Sequence, residues 1–291
     1  MLHTIQNKFL SVTVSEQGAE LMSVLGADST EYLWQGDSQY WSDRSPTIFP
    51  YVGRLKEQEY SMDGQMYHMT IHGFAASQRF AVAEKSCTRL VLELSDNEVT
   101  YEVYPRHFLF RVIYELVDDR LDVTYQVDNR DERTMYFGLG GHPGFNVPLE
   151  KGMAFEDYRL RFETICVPEK VVFSSDCFVE GLQPGYVLEN GTDIPLVHSM
   201  FDDDAIVLRG AGHTVTLESD KGQRSVTVGY PRMDYVGFWH AVHTDAPYVC
   251  IEPWCSLPAA KEGITVFEEQ KDMISLEPGK QYTNTWWIQV K

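Results

Sequence analysis

Apolar and polar residues alternate along many short segments of this chain. Near the start, Leu10, Val12 and Val14 alternate with serine and threonine, and the same period of two recurs in residues 121–127 and 286–290. A period of two places one face of an extended strand in the core, whereas an amphipathic helix repeats every ~3.6 residues. The alternating segments therefore predict β-strands with one buried face.

Turn-forming residues separate the predicted strands. The pair Asp63-Gly64, between two tyrosines, is typical of a β-hairpin, and residues 118–120 predict a second hairpin. Residues 30–55 and 168–198 are rich in turn formers and predict irregular chain. No window of helical length keeps an apolar helical period, and no Ser/Gly-rich linker divides the chain. The pattern predicts an all-β fold, a single large antiparallel β-sandwich domain over residues 1–291.

The charge balance bears on possible partners. Lysine and arginine total 24 against 43 aspartate and glutamate residues, a net charge of −19. Such a surface repels nucleic acid and anionic membranes. No segment approaches the length of a membrane span, and the first residues lack the basic and apolar regions of a secretory signal. We expect a neutral small-molecule partner, no binding to nucleic acid or membrane, and a monomer or a homodimer.

The five cysteines bear on compartment and cofactors. They are odd in number and show no CxxC spacing, which argues against a disulfide framework and a zinc site. The chain also has no GxGxxG or GxxxxGK loop that would cradle a phosphate. We expect a cytoplasmic protein that needs neither a metal nor an organic cofactor.

One segment sets a histidine in a rigid frame. Residues 137–148 place His142 among four glycines and two prolines. Glycine permits positive φ and close backbone approach, and Pro143 biases His142 toward an extended conformation. An imidazole held in this way at a strand end could give or take a proton near neutral pH. A structural turn, in which the histidine bonds a backbone carbonyl, fits the same residues unless other groups converge on them.

Glu252 is the second candidate for proton transfer. It follows the apolar residues 248–251 at the point where Pro253 is expected to end strand pairing. A carboxyl group partly desolvated there, beside Trp254, has its pKa biased upward toward that of a useful base. The alternative is a strand-end glutamate that is solvated or paired with an arginine.

Five short motifs, taken together, resemble the aldose 1-epimerase (mutarotase) superfamily, and in particular its branch of LacX-type proteins. The motifs occur in the family's order over nearly the whole chain and are Gly53-Arg54, His72-Gly73, Gly141-His142-Pro143-Gly144-Phe145-Asn146, Asp204-Ala205-Ile206 and Cys250-Ile251-Glu252-Pro253-Trp254. The resemblance implies the large β-sandwich that the periodicity also predicts. It implies His142 as general acid and Glu252 as general base. It further implies that Arg54, His72 and Asp204 bind sugar hydroxyls.

The implied reaction requires these residue types. Opening a hemiacetal ring needs a base for the anomeric hydroxyl and an acid for the ring oxygen, and re-closure on the other face of the carbonyl inverts the anomer. We expect a bell-shaped pH dependence whose alkaline limb is set by His142. Aromatic rings are wanted for stacking on the sugar, and the candidates are Trp254, Phe145, Trp34, Trp41 and Trp239.

The chain departs from better-known galactose mutarotases at two motifs. Those proteins tend to carry an aromatic residue where this chain has Gly144, and an Asn-Arg pair where it has Lys56 and Glu57. The pocket floor and the hydroxyl contacts are therefore expected to differ. Among adjacent aspartates, we favour Asp204 over Asp203 for substrate contact because it abuts the apolar run that follows.

Two other functions compete with a mutarotase of neutral sugars. A hexose-phosphate 1-epimerase needs two or more cationic side chains at the pocket rim, and the available basic clusters are Arg130/Arg133 and Arg159/Arg161. A non-catalytic sugar-binding module keeps the sandwich but does not require a proton-transfer pair. The presence of both His142 and Glu252 favours the enzyme.

Overall fold

The computed structural model describes residues 1–291, most of them in short strands and turns. The strands of the N-terminal half are β1 (Leu2–Gln6), β2 (Leu10–Ser15), β3 (Leu21–Gly26), β4 (Thr47–Ile48), β5 (Glu59–Met62), β6 (Gln65–His68), β7 (Ala81–Lys85), β8 (Arg89–Ser95), β9 (Phe108–Val117), β10 (Arg120–Asn129), β11 (Met135–Phe137), β12 (Gly140–Gly141) and β13 (Gly144–Asn146). The strands of the C-terminal half are β14 (Arg159–Phe162), β15 (Glu169–Phe173), β16 (Val179–Gln183), β17 (Asp193–Pro195), β18 (Ile206–Arg209), β19 (Thr214–Glu218), β20 (Val226–Gly229), β21 (Tyr235–Trp239), β22 (Tyr248–Trp254), β23 (Thr265–Val266), β24 (Ile274–Leu276) and β25 (Gln281–Val290).

Helical structure is confined to short segments. There is one α-helix, α1 (Glu98–Val103), and the 3-10 helices are Lys56–Gln58, Ala75–Ser77, Phe155–Asp157 and His198–Phe201. Neither α1 nor any 3-10 helix has the length and apolar character required to traverse a lipid bilayer.

Two large antiparallel sheets make up most of the structure. The nine-stranded sheet has the order β17-β14-β19-β20-β25-β10-β9-β8-β7. The eight-stranded sheet has the order β16-β15-β18-β21-β22-β12-β4, and β13 also pairs with β22. Three smaller sheets join β1-β2-β3, β11-β24 and β23-β5-β6.

The two large sheets pack face to face. Burial alternates along β10 and over most of β25, as their period of two predicts. The ring centroids of Phe162 on β14 and Phe238 on β21 are 6.1 Å apart. The hydroxyl of Tyr125 on β10 donates to the carbonyl of Gly140 on β12 at 3.1 Å. A cluster of 65 buried residues fills the space between and beside the sheets. The predicted antiparallel β-sandwich is confirmed.

Several local predictions differ from the structure. The segment 168–198 is not irregular throughout, because it contains β15, β16 and β17. Most residues of β15 and β16 are half-buried or exposed, so no apolar alternation marks them. Helix α1 has only six residues, too few to show a helical period, and the side chain of Asn97 caps it by accepting from the Thr100 N–H. The Asp63-Gly64 hairpin is confirmed, since it joins β5 to β6.

Candidate active site

A cavity of about 390 Å³ opens at the eight-stranded sheet, where several loops gather. Its lining comes from β15, β21 and β22 and from the loops that follow β3, β4, β6, β12, β15, β17, β21 and β22. The predicted site residues that line it are Arg54, His72, His142, Asp204, Glu252 and Trp254. The fold thus brings together side chains that lie far apart in the sequence.

Alternation along β22 directs Glu252 into the cavity. Val249 and Ile251 belong to the main core, whereas Glu252 and Trp254 line the cavity on the opposite face of the strand. Pro253 does not end the strand as expected, because β22 continues to Trp254 and stays paired with β21. The cavity therefore lies on the outer face of the eight-stranded sheet, away from the nine-stranded sheet.

His142 lies in the turn between β12 and β13. None of the glycines around it has a positive φ, so their role is close approach. A Cβ atom on Gly141 would lie 2.7 Å from the Trp286 ring, closer than packing allows. The N–H of Ile251 donates to the Pro143 carbonyl at 3.1 Å and ties this turn to β22. The Nδ1 atom of His142 forms no hydrogen bond, so the ring does not cap a backbone carbonyl.

His142 and Glu252 are in contact. The Nε2 and Oε2 atoms are 3.2 Å apart, although they are not aligned for a hydrogen bond. The two residues are 8% and 1% exposed. Burial lowers the pKa of His142 well below its usual 6.5, and neighbouring His72 lowers it further. Burial raises the pKa of Glu252 well above its usual 4.5; the Asp204 carboxylate adds to this rise, and the Trp254 indole partly offsets it.

His72 is held by Gly53. The Gly53 N–H donates to His72 Nδ1 at 3.2 Å, and the His72 N–H donates to the Gly53 carbonyl at 2.9 Å. Because Nδ1 accepts a hydrogen bond, the neutral ring carries its proton on Nε2. Burial, with a smaller effect of Arg54, lowers the pKa of His72 to about 4. Near neutral pH the ring is therefore an uncharged hydrogen-bond donor.

Asp204 lines the cavity, whereas Asp203 does not. Its carboxylate accepts from the Cys177 thiol at 2.8 Å and from the Ala205 N–H at 2.9 Å. Burial and the hydrogen bond to Asp204 raise the pKa of Cys177 to about 11, so the thiol keeps its proton. Cys177 also lines the cavity and was not predicted, because no motif in the sequence links it to Asp204.

The charges around the cavity are mostly acidic. Arg54 is exposed at the rim and has no carboxylate within salt-bridge distance. The acidic lining residues are Asp204, Glu252 and Asp43, and the last was not predicted. Its position inside the aromatic-rich segment 30–55 was the only available signal.

The basic clusters considered for a phosphate do not line the cavity. Arg133 pairs with Asp131, and Arg161 pairs with Asp193. Arg159 likewise forms a salt bridge with an acidic side chain. These guanidinium groups are neutralised within the protein.

Three tryptophans form aromatic walls of the cavity. They are Trp41, Trp239 and Trp254, and the Trp41 ring centroid lies 5.0 Å from that of His142. Trp34 does not line the cavity; it is buried behind it and stacks on Tyr248 with centroids 4.6 Å apart.

The prediction that Phe145 contacts the substrate is wrong. Phe145 is completely buried in the main core and does not line the cavity. Alternation along β13 turns its side chain away from the face of Gly144. A Cβ atom on Gly144 would lie 3.0 Å from Trp41, so the missing side chain makes room for that tryptophan. Lys56 and Glu57, at the other departure from the family pattern, do not line the cavity either.

Comparisons with known proteins agree with this fold over its whole length. The sequence profile of the family described as aldose 1-epimerase matches residues 1–289. Protein LacX of Lactococcus lactis subsp. lactis is 28% identical over 284 residues, 94% of each chain. A galactose mutarotase related enzyme from Lactobacillus acidophilus has a TM-score of 0.94 and 33% identity, covering 100% of this chain and 97% of its own. A galactose mutarotase-like protein from Lactobacillus casei has a TM-score of 0.94 and 29% identity, covering 100% of both chains.

The fold and the cavity together define a galactose mutarotase-like β-sandwich protein. The chain belongs to the aldose 1-epimerase family, with LacX among its relatives.

Proposed function

We propose that this protein is an aldose 1-epimerase, a carbohydrate isomerase that interconverts the α and β anomers of a neutral aldose. The observation that carries the proposal is the 3.2 Å separation of His142 Nε2 and Glu252 Oε2 beside one cavity. In a pyranose the anomeric hydroxyl and the ring oxygen are bonded to the same carbon. An acid and a base that touch each other can therefore reach both oxygens of one sugar.

Ring opening moves one proton to Glu252 and one from His142. The Glu252 carboxylate takes the proton of the anomeric hydroxyl, whose oxygen forms a carbonyl as the bond from the anomeric carbon to the ring oxygen breaks. His142 gives its proton to the departing ring oxygen.

Ring closure reverses these transfers after the aldehyde has rotated. His142 takes back the hydroxyl proton as that oxygen attacks the other face of the carbonyl, and Glu252 returns its proton to the new anomeric oxygen. The pair ends as it began, and no further reactant is needed.

The remaining polar groups are suited to hold the sugar. The Nε2–H of His72 and the guanidinium of Arg54 are donors without a partner in the protein, and Asp204 is an acceptor with its position fixed by Cys177 and Ala205. Trp41, Trp239 and Trp254 supply apolar faces. A sugar ring, with hydroxyls on its edge and C–H groups on its faces, matches this combination.

The cavity favours a neutral sugar over a phosphosugar. Arg54 is its one arginine or lysine, and three carboxyl groups, Asp43, Asp204 and Glu252, share the lining. A phosphate carries at least one negative charge and would be repelled by the acidic side chains. The cytoplasmic location expected from the sequence is supported by the five cysteines, all of which are free.

Polarimetry of freshly dissolved α-anomers tests the proposal. Purified protein without added metal or nucleotide should accelerate their equilibration when the aldohexose is neutral and leave 6-phosphosugars near the spontaneous rate. Acceleration of phosphosugars alone would instead support the hexose-phosphate epimerase. Binding of neutral sugars without any acceleration would support the binding module.

A further inference from the structure

Cys250 lies directly behind the proposed catalytic pair. It is two positions before Glu252 on β22, so both side chains point to the outer face of the sheet. Cys250 is also opposite Gly144 in the pairing of β22 with β13, which brings it close to the His142 turn. Donor atoms of His142, Cys250 and Glu252, one from each, all lie within 4.8 Å of one another.

Glu252 Oε2, which faces His142 Nε2, is a buried polar atom without a hydrogen-bond partner, on a residue that is 1% exposed. Leaving a buried polar atom without a partner is costly, and a ligand that binds it removes this cost. Both side chains line the cavity, so a small ligand can reach them.

The spacing and the donor types suit a tetrahedral cation. Two nitrogen or oxygen ligands at about 2.0–2.1 Å from zinc are roughly 3.3 Å from each other in a tetrahedron. The 3.2 Å between His142 Nε2 and Glu252 Oε2 already matches that separation. Zinc–sulfur bonds are longer, about 2.3 Å, so in a tetrahedral site the Cys250 sulfur would lie about 3.6 Å from the other two ligand atoms. It lies within 4.8 Å of both in the cluster.

We propose that His142, Cys250 and Glu252 bind a divalent cation of the zinc class, with a fourth position open to the cavity, and that this cation inhibits the enzyme. A thiolate, a carboxylate and a neutral imidazole neutralise two positive charges, so the buried site carries no net charge. Because a coordinating thiol is deprotonated, binding releases the Cys250 proton. Only the inhibition rests on the proposed function; the binding does not.

Cobalt is a direct probe of this site because its spectrum reports the ligands. CoCl₂ added to the protein should give thiolate-to-cobalt charge-transfer absorption and the intense visible bands of a tetrahedral ion, and ZnCl₂ should remove both. Cys250→Ser and Cys250→Ala should lose the charge-transfer band and weaken cobalt binding by roughly tenfold or more, since one of three protein ligands is gone.

Cys177, which lines the cavity, provides the matched control. Cys177→Ser should keep the cobalt spectrum, because Cys177 is bonded to Asp204 and is not part of the cluster. Circular dichroism checks that each variant is folded. Absence of a thiolate band in the wild-type protein, or its persistence in both Cys250 variants, would overturn the proposal.

An activity assay separates this inference from the proposed function. Zinc should compete with the sugar in the wild-type protein, and Cys250→Ala should need roughly tenfold more zinc for the same inhibition. If the cobalt spectrum appears but the metal-free protein does not catalyse anomer exchange, the proposed function fails and the cation site stands. If the metal-free protein is active but the spectrum is absent, the cation site fails alone.

Discussion

Glu252 and His142 are neighbours in a largely dry cavity, so the ionisation of each depends on the other. A second proton on the pair would place a positive charge on the buried imidazole, which the lowered pKa of His142 opposes. Loss of the shared proton would leave a buried carboxylate, which the raised pKa of Glu252 opposes. The singly protonated pair therefore persists near neutral pH. It contains the one proton that the proposed acid and base roles require.

This shared proton predicts the pH profile of kcat/KM. The profile should be bell-shaped, with its acid limb below 6.5, the usual pKa of histidine, and its alkaline limb above 4.5, the usual pKa of glutamate. The alkaline limb then reports loss of the shared proton, rather than titration of His142 alone as expected from the sequence. Asp204→Asn should move this limb to lower pH, because the Asp204 carboxylate raises the pKa of Glu252. An acid limb at or above 6.5 would contradict the account.

The sequence predicted site residues that are marked by their neighbours along the chain. It missed residues whose role depends on contacts with distant parts of the chain. His142 and Glu252 stood out because glycine, proline and apolar neighbours mark them within a few positions. Cys177 could not be found, since its contact with Asp204 depends on how two distant loops meet. Phe145 was misassigned because a motif gives the residue but not the face of the strand on which its side chain lies.

Among the elements, the loop after β4 has a strict backbone requirement. Gly53 has a φ of +70°, and a Cβ atom there would lie 2.3 Å from Pro258. The backbone N–H of Gly53 donates a hydrogen bond to Nδ1 of His72. The loop therefore couples a glycine-specific conformation to the position of a cavity side chain.

Replacing this glycine should affect both stability and substrate binding. Gly53→Ala is expected to lower the free energy of unfolding by about 1–3 kcal/mol, from the strained φ and the clash with Pro258. It should also raise KM, since His72 loses its fixed position. Urea denaturation and steady-state kinetics measure the two effects.

Gly64→Ala is the matched control for this change. Gly64 has a φ of +71° but nothing within 4 Å of its would-be Cβ atom. The Gly64→Ala substitution should lower the free energy of unfolding by about 1 kcal/mol, from backbone strain alone, and should leave KM unchanged. Equal effects of the two substitutions on stability and KM would show that the contact with Pro258 does not matter.

Strands and hairpins were predictable where alternation of apolar residues and turn-forming residues mark them in the sequence. The β9–β10 and β5–β6 hairpins follow from alternation and turn residues. Strands β15 and β16, at the edge of the eight-stranded sheet, bury too little surface to leave a pattern. Strand order could not be read either, because β25 enters between β20 and β10, which are remote in sequence.

At the scale of the whole molecule, the first and last strands contribute to one core. Ile5 of β1 and Val290 of β25 both belong to the cluster of 65 buried residues. The hydroxyl of Tyr32 donates to the carbonyl of Lys291, the last residue, at 3.0 Å. The single domain expected from the sequence is consistent with this shared core.

A shared core predicts one cooperative unfolding transition. In urea, tryptophan fluorescence and far-ultraviolet circular dichroism should give superimposable curves with the same midpoint and slope. Two separated transitions would mean that parts of the sandwich unfold independently, and the single-domain prediction would then be wrong.

The central claim is that Glu252 and His142 transfer the protons of anomer exchange, and anomeric proton exchange in NMR measures it at equilibrium. Glu252→Gln should return exchange of a neutral aldose to the spontaneous rate, because the amide fills the same space but cannot accept a proton. His142→Asn should slow exchange by about 100- to 10,000-fold. Glu16→Gln, at a buried glutamate paired with Arg79, should keep the wild-type rate. A folded Glu252→Gln protein that exchanges anomers at the wild-type rate would contradict the account.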